Sequence, residues 1–228
     1  MELKDKIVVI TGADKGLGKS LAQFFVKEGA HVVISSHSKD SLEKTAKEIG
    51  AVSFVADVTK EQEVLDLASK ALEKFGVIDV WINNAGVMYS FPKDELINME
   101  KAHNTFDVNF FGVLFGCRTA IKNMKAGIIM TINSSSGLDA TRALDYKIYV
   151  ASKWAIRGFL QAFKAQHSES KIKIISVFPG GIKTELYGSD KPDSFSQFME
   201  PDYVSEKIIS NLKLENPEIE LVIKRPTA

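Results

Sequence analysis

Tyr149 and Lys153 are the side chains in this sequence whose types and spacing best suit acid–base chemistry. Residues four apart lie on the same face of a helix, so the Lys153 ammonium can lie beside the Tyr149 phenol. A free phenol has a pKa of about 10 and is a poor acid–base catalyst at neutral pH. Lowering that pKa to about 7 requires about 4 kcal/mol, and one cation at about 4 Å supplies about that much at an effective dielectric constant of about 20. The alternative is a Tyr/Lys pair on a solvated helix face.

A glycine-containing turn at residues 11–18 is the second stretch with chemical potential. An apolar, β-branched run at residues 7–10 precedes it, and apolar residues at helical spacing follow at 20–26. Glycine allows positive φ and a close approach of the backbone to a ligand, and N–H groups at a helix start bind anions. The order strand, glycine turn, helix therefore predicts a phosphate-binding loop. An ordinary strand-to-helix turn is the alternative.

The composition is that of a globular protein with one sizeable core. The chain has 228 residues, of which 45% are hydrophobic and 25% charged, and its formal net charge is zero. Nothing in this balance indicates a nucleic-acid or anionic membrane surface, and no apolar stretch is long enough to span a bilayer. Four scattered histidines and one cysteine offer no metal-ligand spacing. We therefore expect a cytoplasmic protein, one domain over residues 1–228, that binds no metal, nucleic acid or membrane.

Strand and helix patterns alternate along the chain. The predicted strands are residues 7–10, 31–35, 51–55, 77–82, 128–132, 172–177 and 219–223. The predicted helices follow the glycine turn and lie at 39–49, 61–75, 96–124, 149–166 and 204–214, with a flexible loop at 188–201. This alternation predicts an α/β fold, a single Rossmann-fold domain with a doubly wound seven-stranded parallel sheet and helices on both faces. Ligands bind beyond the carboxyl ends of such strands, and five of these strands end there in Gly, Asp, Asn or Ser.

Four motifs together resemble the short-chain dehydrogenase/reductase family. They are the glycine turn, the Asn-Asn-Ala-Gly run at 83–86, the helix that carries Tyr149 and Lys153, and the Pro179-Gly180 exit. They occur in the family's order and at its spacing. The resemblance implies that Tyr149 donates a proton to a carbonyl oxygen as hydride arrives, or removes it from the alcohol in reverse. It also implies that Lys153 holds the nicotinamide ribose.

The resemblance implies a serine that hydrogen-bonds the substrate oxygen. Counting back from Gly137 places this residue at Ser134. The interval from Ser134 to Tyr149 is slightly longer than usual in the family, so Ser135 and Ser136 stay open as alternatives.

Asn109 matches the family's helix asparagine, which supports a water that links Lys153 to solvent. An asparagine within an apolar helix is costly to bury unpaired, so we expect it to have a specific partner. A solvated stripe is the alternative. The phenylalanines around it pack in the core or against a second subunit, and the resemblance implies a homodimer or homotetramer.

A nicotinamide dinucleotide is implied to lie across the glycine turn and the strand ends. The implied contact residues are Gly12, Asp14, Lys15, Gly16, Leu17, Gly18, His37, Asp57, Val58, Asn84, Ala85, Gly86, Tyr149, Lys153, Pro179, Gly180, Ile182 and Thr184. Asp57 would contact the adenine amine and Thr184 the nicotinamide carboxamide. Helix N-capping is the alternative for both residues.

The end of the second predicted strand favours NADP(H) over NAD(H). Residues 35–39 read Ser-Ser-His-Ser-Lys, with no carboxylate to hold a ribose 2′-hydroxyl or to repel a 2′-phosphate. Lys15 and His37 match positions where NADP-dependent relatives carry basic residues. Asp14, which stands where the family usually has a small polar residue, works against this preference.

These features predict an NADP-preferring carbonyl reductase or alcohol dehydrogenase that acts on a small carbonyl or secondary alcohol. The chain's ending at 219–226 is similar to the branch with 3-hydroxy acid dehydrogenases. A non-catalytic NADP-binding sensor or scaffold on the same fold is the alternative class. Arg142 is a candidate for a substrate carboxylate, against an ordinary exposed loop arginine. A mostly apolar substrate pocket, with its loop near 185–203, is expected from Met88, Leu138, Tyr146, Tyr187, Phe195 and Phe198.

Overall fold

Seven parallel strands form one sheet in the computed structural model, which describes residues 1–93 and 95–226. The strand order is β3-β2-β1-β4-β5-β6-β7, with every neighbouring pair parallel. The strands are β1 (Ile7–Thr11), β2 (His31–Ser36), β3 (Val52–Val55), β4 (Val80–Asn83), β5 (Gly127–Ile132), β6 (Ile172–Pro179) and β7 (Glu220–Ile223). The predicted fold class is confirmed. The strand order reverses between β1 and β4, which is where such sheets bind ligands.

Helices cover both faces of the sheet. In the described ranges they are α1 (Gly16–Lys27), α2 (Lys39–Ile49), α3 (Glu61–Phe75), α4 (Met99–Phe106), α5 (Gly112–Asn123), α6 (Lys147–Gln166) and α7 (Pro201–Lys213). Apolar residues of α1, α2 and α7, such as Leu21, Leu42 and Ile208, pack on one face. Those of α3, α5 and α6, such as Leu67 and Ile156, pack on the other. Burial on both faces explains why the strands are nearly continuous apolar runs.

Several predicted boundaries differ from the observed ones by one to three residues. The helix predicted at 96–124 begins at Met99, because the Asn98 side chain accepts a hydrogen bond from the Lys101 N–H at 3.0 Å and caps the helix there. It continues through a π-helical turn (Asp107–Phe111) before α5. The strand predicted at 77–82 is β4 and begins at Val80.

The chain's single cysteine lies beneath the sheet. Cys117 of α5 is fully buried, and its Sγ accepts a hydrogen bond from Asn83 Nδ2 at 3.4 Å. Asn83 Oδ1 accepts in turn from the Trp81 indole at 2.8 Å. Gly116 makes room for this contact, since a Cβ there would lie 1.9 Å from Asn83 Oδ1. Burial raises the pKa of the Cys117 thiol to about 12. Asn83 therefore steadies the sheet and does not face a ligand.

Two kinds of feature are not found among the described residues. No helix there has both the length and the apolar character needed to cross a membrane. In the same part of the chain, no three or more His, Cys, Asp or Glu side chains are grouped so that they could hold a metal ion.

Candidate active site

A cleft of about 1520 Å³ lies at the carboxyl ends of the strands. Its lining includes every predicted cofactor-binding residue, from Gly12 after β1 to Thr184 after β6, and also Ser134. Asn109 does not line the cleft and is fully buried. The strand register thus brings together positions that are far apart in the sequence.

The glycine turn requires its glycines for two physical reasons. Gly12 and Gly16 have positive φ values of +62° and +55°. A Cβ on Gly12 would lie 2.6 Å from Ala85 Cα, and one on Gly18 would lie 2.4 Å from Asn84 Nδ2. The turn therefore packs directly against the exit of β4.

Asn84 ties the ends of β1 and β4 together. Its Nδ2 donates to the carbonyls of Thr11 at 3.0 Å and Gly12 at 2.8 Å. The Thr11 hydroxyl accepts from the backbone N–H groups of Asn84 at 3.1 Å and Ala85 at 3.3 Å. These bonds fix the two walls of the cleft at the point where the strand order reverses.

The start of α1 is open to an anion. Lys15 is the N-cap residue and makes no side-chain capping bond, and the first turn of α1 contains no acidic residue. The N–H groups of the first turn therefore have no acceptor from α1 itself. A carboxylate oxygen of Glu185, from the opposite wall, would lie 3.6 Å from a Cβ on Gly16. The N–H donors at this helix start and the helix dipole suit a diphosphate.

Asp14 is tied to α2. Its Oδ2 accepts from the Ser41 hydroxyl at 2.7 Å, and its carbonyl accepts from the Thr45 hydroxyl at 2.7 Å. Lys15 and His37 are exposed on the adjacent cleft wall. None of the ion pairs among the described residues involves either of them.

Asp57 and Thr184 line the cleft but differ in their local bonds. Asp57 Oδ1 accepts from the Thr59 N–H at 3.0 Å and from its hydroxyl at 2.8 Å, which forms a turn before α3. The capping interpretation of Asp57 is therefore wrong, because the N-cap of α3 is Lys60. The Thr184 hydroxyl does cap a short turn, accepting from the Leu186 N–H at 3.4 Å.

Tyr149 and Lys153 lie on the cleft side of α6 and are 8% and 4% exposed. Lys153 Nζ is 5.3 Å from the centre of the Tyr149 ring and donates to the Ile132 carbonyl at 3.2 Å. The Ser134 hydroxyl is near enough to the Tyr149 phenol to lower its pKa, and it accepts from the Ser136 N–H at 3.1 Å. A phenol, a hydroxyl and an ammonium therefore converge at the end of β5.

Burial dominates the electrostatics of this group. It raises the pKa of Tyr149 to about 12, and the Ser134 hydroxyl offsets only part of that rise. Burial also lowers the pKa of Lys153 to about 8. The predicted fall in the pKa of Tyr149 is wrong, because burial makes the phenolate costly to desolvate, a cost that the Tyr/Lys spacing does not reveal. At neutral pH the phenol keeps its proton in the protein alone.

Asn109 joins the π-helical turn to two neighbouring segments. Its Oδ1 accepts from the Val87 N–H at 2.8 Å, and its Nδ2 donates to the Val87 carbonyl at 2.9 Å and to Ser152 Oγ at 3.1 Å. The Ser152 hydroxyl donates to the Tyr149 carbonyl at 2.7 Å. The solvated-stripe alternative for Asn109 is wrong. Sequence reasoning missed Ser152, since nothing in the motif indicates which way its hydroxyl points.

The expected substrate residues mostly meet at the far end of the cleft. Met88, Leu138, Tyr146, Tyr187 and Phe198 line it. Phe195 does not, contrary to expectation, because its ring packs behind those of Tyr187 and Phe198, with both centroids at 5.5 Å. The side chain of Arg142 lies outside the described part of the structure. Sequence reasoning missed Arg225, although the end of a last parallel strand belongs at the same edge.

Comparison with known proteins places the chain in a family. A sequence model described as short chain dehydrogenase matches residues 6–194. An uncharacterised oxidoreductase of Staphylococcus aureus is 32% identical over 213 residues, which is 91% of this chain and 90% of the relative. The hydroxynaphthalene reductase-like protein Arp2 of Metarhizium guizhouense is 31% identical over 82% of this chain and 72% of its own.

Solved structures agree with this placement. The alcohol dehydrogenase of the archaeon Thermococcus sibiricus, complexed with 5-hydroxy-NADP, is 30% identical with a TM-score of 0.85 over 98% of this chain and 99% of that one. The 3-ketoacyl-(acyl-carrier-protein) reductase of Brucella melitensis, complexed with NADH, is 28% identical with a TM-score of 0.88 over 97% of both chains. The glycine turn, the parallel sheet and the sequence matches lead to one conclusion: the chain belongs to the short-chain dehydrogenase family.

Proposed function

We propose that this protein transfers hydride between NADP(H) and a small carbonyl compound or secondary alcohol, with Tyr149 as the general acid–base group. The observation that carries the proposal is the convergence of Tyr149, Ser134 and Lys153 in a cleft whose other end is the glycine turn. The relatives complexed with 5-hydroxy-NADP and with NADH support a nicotinamide cofactor.

The cleft suits a dinucleotide in shape and donor chemistry. The open N–H groups at the start of α1 are donors for a diphosphate, and Asn84 holds the neighbouring wall in place. Thr184 and Gly180 stand on the opposite side, after β6. A bound nicotinamide would supply the hydride.

The chain's own residues supply the proton and orient the substrate. With its pKa raised to about 12, Tyr149 is protonated at neutral pH and is ready to donate to a carbonyl oxygen. Ser134 is placed to donate a hydrogen bond to the same oxygen. Lys153, with a pKa of about 8, is mostly charged at pH 7, and its cation stabilises the phenolate that remains after proton transfer.

Preference for NADP(H) is the finer part of the proposal. Lys15, at the start of α1, and His37, just after β2, are exposed and line the cleft, and residues 35–39 at the end of β2 include no carboxylate. The Asp14 carboxylate, the feature that opposes this preference, accepts from Ser41 and is tied to α2. Its hydrogen bond reduces its repulsion of a phosphate without removing it.

Assembly into a homodimer or homotetramer is also proposed. Phe111 and Trp154, on the π-helical turn and on α6, are each 43% exposed. Large apolar side chains exposed in this way mark candidate interface surfaces.

Substitution of Tyr149 tests the catalytic proposal, and the chain offers a matched control. Tyr203 and Lys207 have the same spacing on α7, with Nζ again 5.3 Å from the ring centre, but they lie outside the cleft. NADPH-dependent reduction should be screened over aldehydes and ketones. Tyr149→Phe should lower kcat/KM by about 100-fold or more while NADPH still binds, because only the transferable proton is lost. Tyr203→Phe should behave as the wild type.

Two outcomes would contradict the proposal. Most of the activity surviving in Tyr149→Phe would remove Tyr149 from the mechanism. A wild-type protein that binds NADPH but reduces no compound in the screen would favour the sensor or scaffold instead.

A further inference from the structure

Arg225 is held in the cleft by a fixed aromatic platform. It follows β7 and lines the cleft, and its guanidinium carbon is 4.9 Å from the centre of the Phe198 ring. Its Nη1 donates to Gln197 Oε1 at 3.2 Å. The Phe198 ring lies flat against Gly181, where a Cβ would be 2.7 Å from the ring atoms. Gly181 therefore allows the Phe198 ring to pack against the backbone, and the Phe198 ring supports the Arg225 guanidinium.

The guanidinium has no carboxylate partner among the described residues. None of the ion pairs in that part of the chain involves Arg225. The cleft also contains the acidic residues Asp190, Asp139 and Glu185, each of which has a contact with a residue other than Arg225. Asp190 accepts from its neighbour Ser189 at 3.0 Å, Asp139 accepts from Thr141, and Glu185 lies toward Gly16. Arg225 is thus a cation in the cleft wall that makes no ion pair with any residue of 1–93 and 95–226.

Tyr187 connects this cation to the proposed catalytic group. Its ring is 5.4 Å from that of Phe198 and also lines the cleft. Burial raises the pKa of the Tyr187 phenol, the Tyr149 and Tyr146 phenols raise it further, and the Arg225 guanidinium lowers it. Tyr187 is therefore within electrostatic reach of both Tyr149 and Arg225, which places the cation at the substrate end of the cleft.

We propose that Arg225 binds a carboxylate of the substrate, so that the substrate class is keto acids and the corresponding hydroxy acids. A guanidinium binds a carboxylate through two parallel hydrogen bonds. Phe198 and Tyr187 supply apolar walls for the carbon chain between the carboxylate and the reacting carbonyl. This inference rests on the proposed function, because it assumes that the carbonyl lies at Tyr149.

Matched substrates test the assignment. Reduction by NADPH is measured for acetoacetate and levulinate and for their methyl esters, which keep the ketone but lack the negative charge. Arg225→Gln should lower the ratio of kcat/KM for the acid to kcat/KM for the ester by about ten-fold, the lower end for a charge-assisted contact, since the Arg225 side chain is exposed to solvent. Arg225→Lys should lower the ratio less, because it keeps the charge and loses the bidentate geometry.

Lys191→Gln is the control. Lys191 Nζ also lies over a ring of this aromatic cluster, 4.8 Å from the centre of Phe195, but it does not line the cleft. Its loss should leave the acid-to-ester ratio within about two-fold of the wild type, well below the ten-fold effect of an anchoring contact.

Each outcome supports or overturns a specific statement. If Arg225→Gln and Arg225→Lys both keep the wild-type ratio while the esters are reduced, the Arg225 assignment is wrong and the proposed function stands. If Lys191→Gln lowers the ratio as much as Arg225→Gln does, the effect is general electrostatics and the assignment is also wrong. If no carbonyl compound is reduced by the wild type, the proposed function itself fails.

Discussion

Replacing Lys153 by methionine should stabilise the protein while it abolishes activity. Lys153 is 4% exposed, and burial lowers its pKa from the ordinary 10.5 to about 8. At about 1.4 kcal/mol per pKa unit, holding this ammonium charged inside the fold costs about 3 kcal/mol at pH 7. Methionine keeps the apolar stem and removes the charge. It also loses the hydrogen bond to the Ile132 carbonyl, which costs about 1 kcal/mol. We expect a net gain of about 2 kcal/mol.

The pH dependence of this gain identifies its cause. Below pH 8 the lysine is charged in both the folded and the unfolded chain, so the full cost is present. Between pH 8 and 10.5 the unfolded chain binds a proton that the folded chain does not, so wild-type stability rises with pH. The advantage of Lys153→Met should therefore shrink across this interval. Groups that titrate equally in both proteins cancel in the difference.

Urea unfolding at pH 7 and at pH 10 measures the free-energy difference, thermal unfolding at pH 7 gives the melting temperature, and NADPH-dependent turnover is recorded for the same preparations of native protein. At pH 7 the variant's melting temperature should be higher by about 5 °C, as expected for about 2 kcal/mol in a chain of this size. A variant less stable than the wild type at pH 7 would refute the reasoning. A stability difference that stays the same from pH 7 to pH 10 would also refute the reasoning, because it would come from packing and not from a buried charge.

Two further substitutions test the cofactor and substrate ends of the site. Lys15→Ala should lower kcat/KM for NADPH by about ten-fold and leave NADH nearly unaffected, because it removes a charge-assisted contact to the 2′-phosphate. Lys19→Ala, which removes a lysine of α1 that pairs with Glu48 of α2, is the control, and an equal loss with both cofactors in Lys15→Ala would contradict the assignment. Ser134→Ala should lower kcat by about 100-fold, the usual cost of removing one donor to a reacting oxygen. Single alanine variants of Ser135 and Ser136 should lose less, and a larger loss in either would move the role to that residue.

The sheet could be predicted from the sequence because its signals are local. Runs such as residues 7–10 and 128–132 are apolar and β-branched, and each is followed by a helical pattern. Parallel strands buried on both faces produce this pattern. The π-helical turn at Asp107–Phe111 could not be predicted in the same way, because the apolar pattern around it fits a regular helix equally well. What accompanies the turn is a tertiary contact, the pairing of Asn109 with Val87.

Positions around the cleft were easier to predict than the properties of their side chains. Strand ends fix where Gly12, Asn84 and Thr184 lie, and the structure places all three on one cleft. The pKa of Tyr149 depends on how deeply the phenol is buried, which spacing alone does not give. The same holds for Phe195: its position in the loop near 185–203 predicts that it lies close to the cleft, but not in which direction its ring points.

Cys117 can report how often helix α5 separates from the sheet. Thiol reagents attack the thiolate, and this thiol is both fully buried and has a pKa raised to about 12. A reagent can therefore reach it only in molecules where α5 has separated from β4 and β5. The chain contains one cysteine, so no second site competes for the reagent. Under native conditions the alkylation rate then measures how often this half of the sheet opens, without any introduced label.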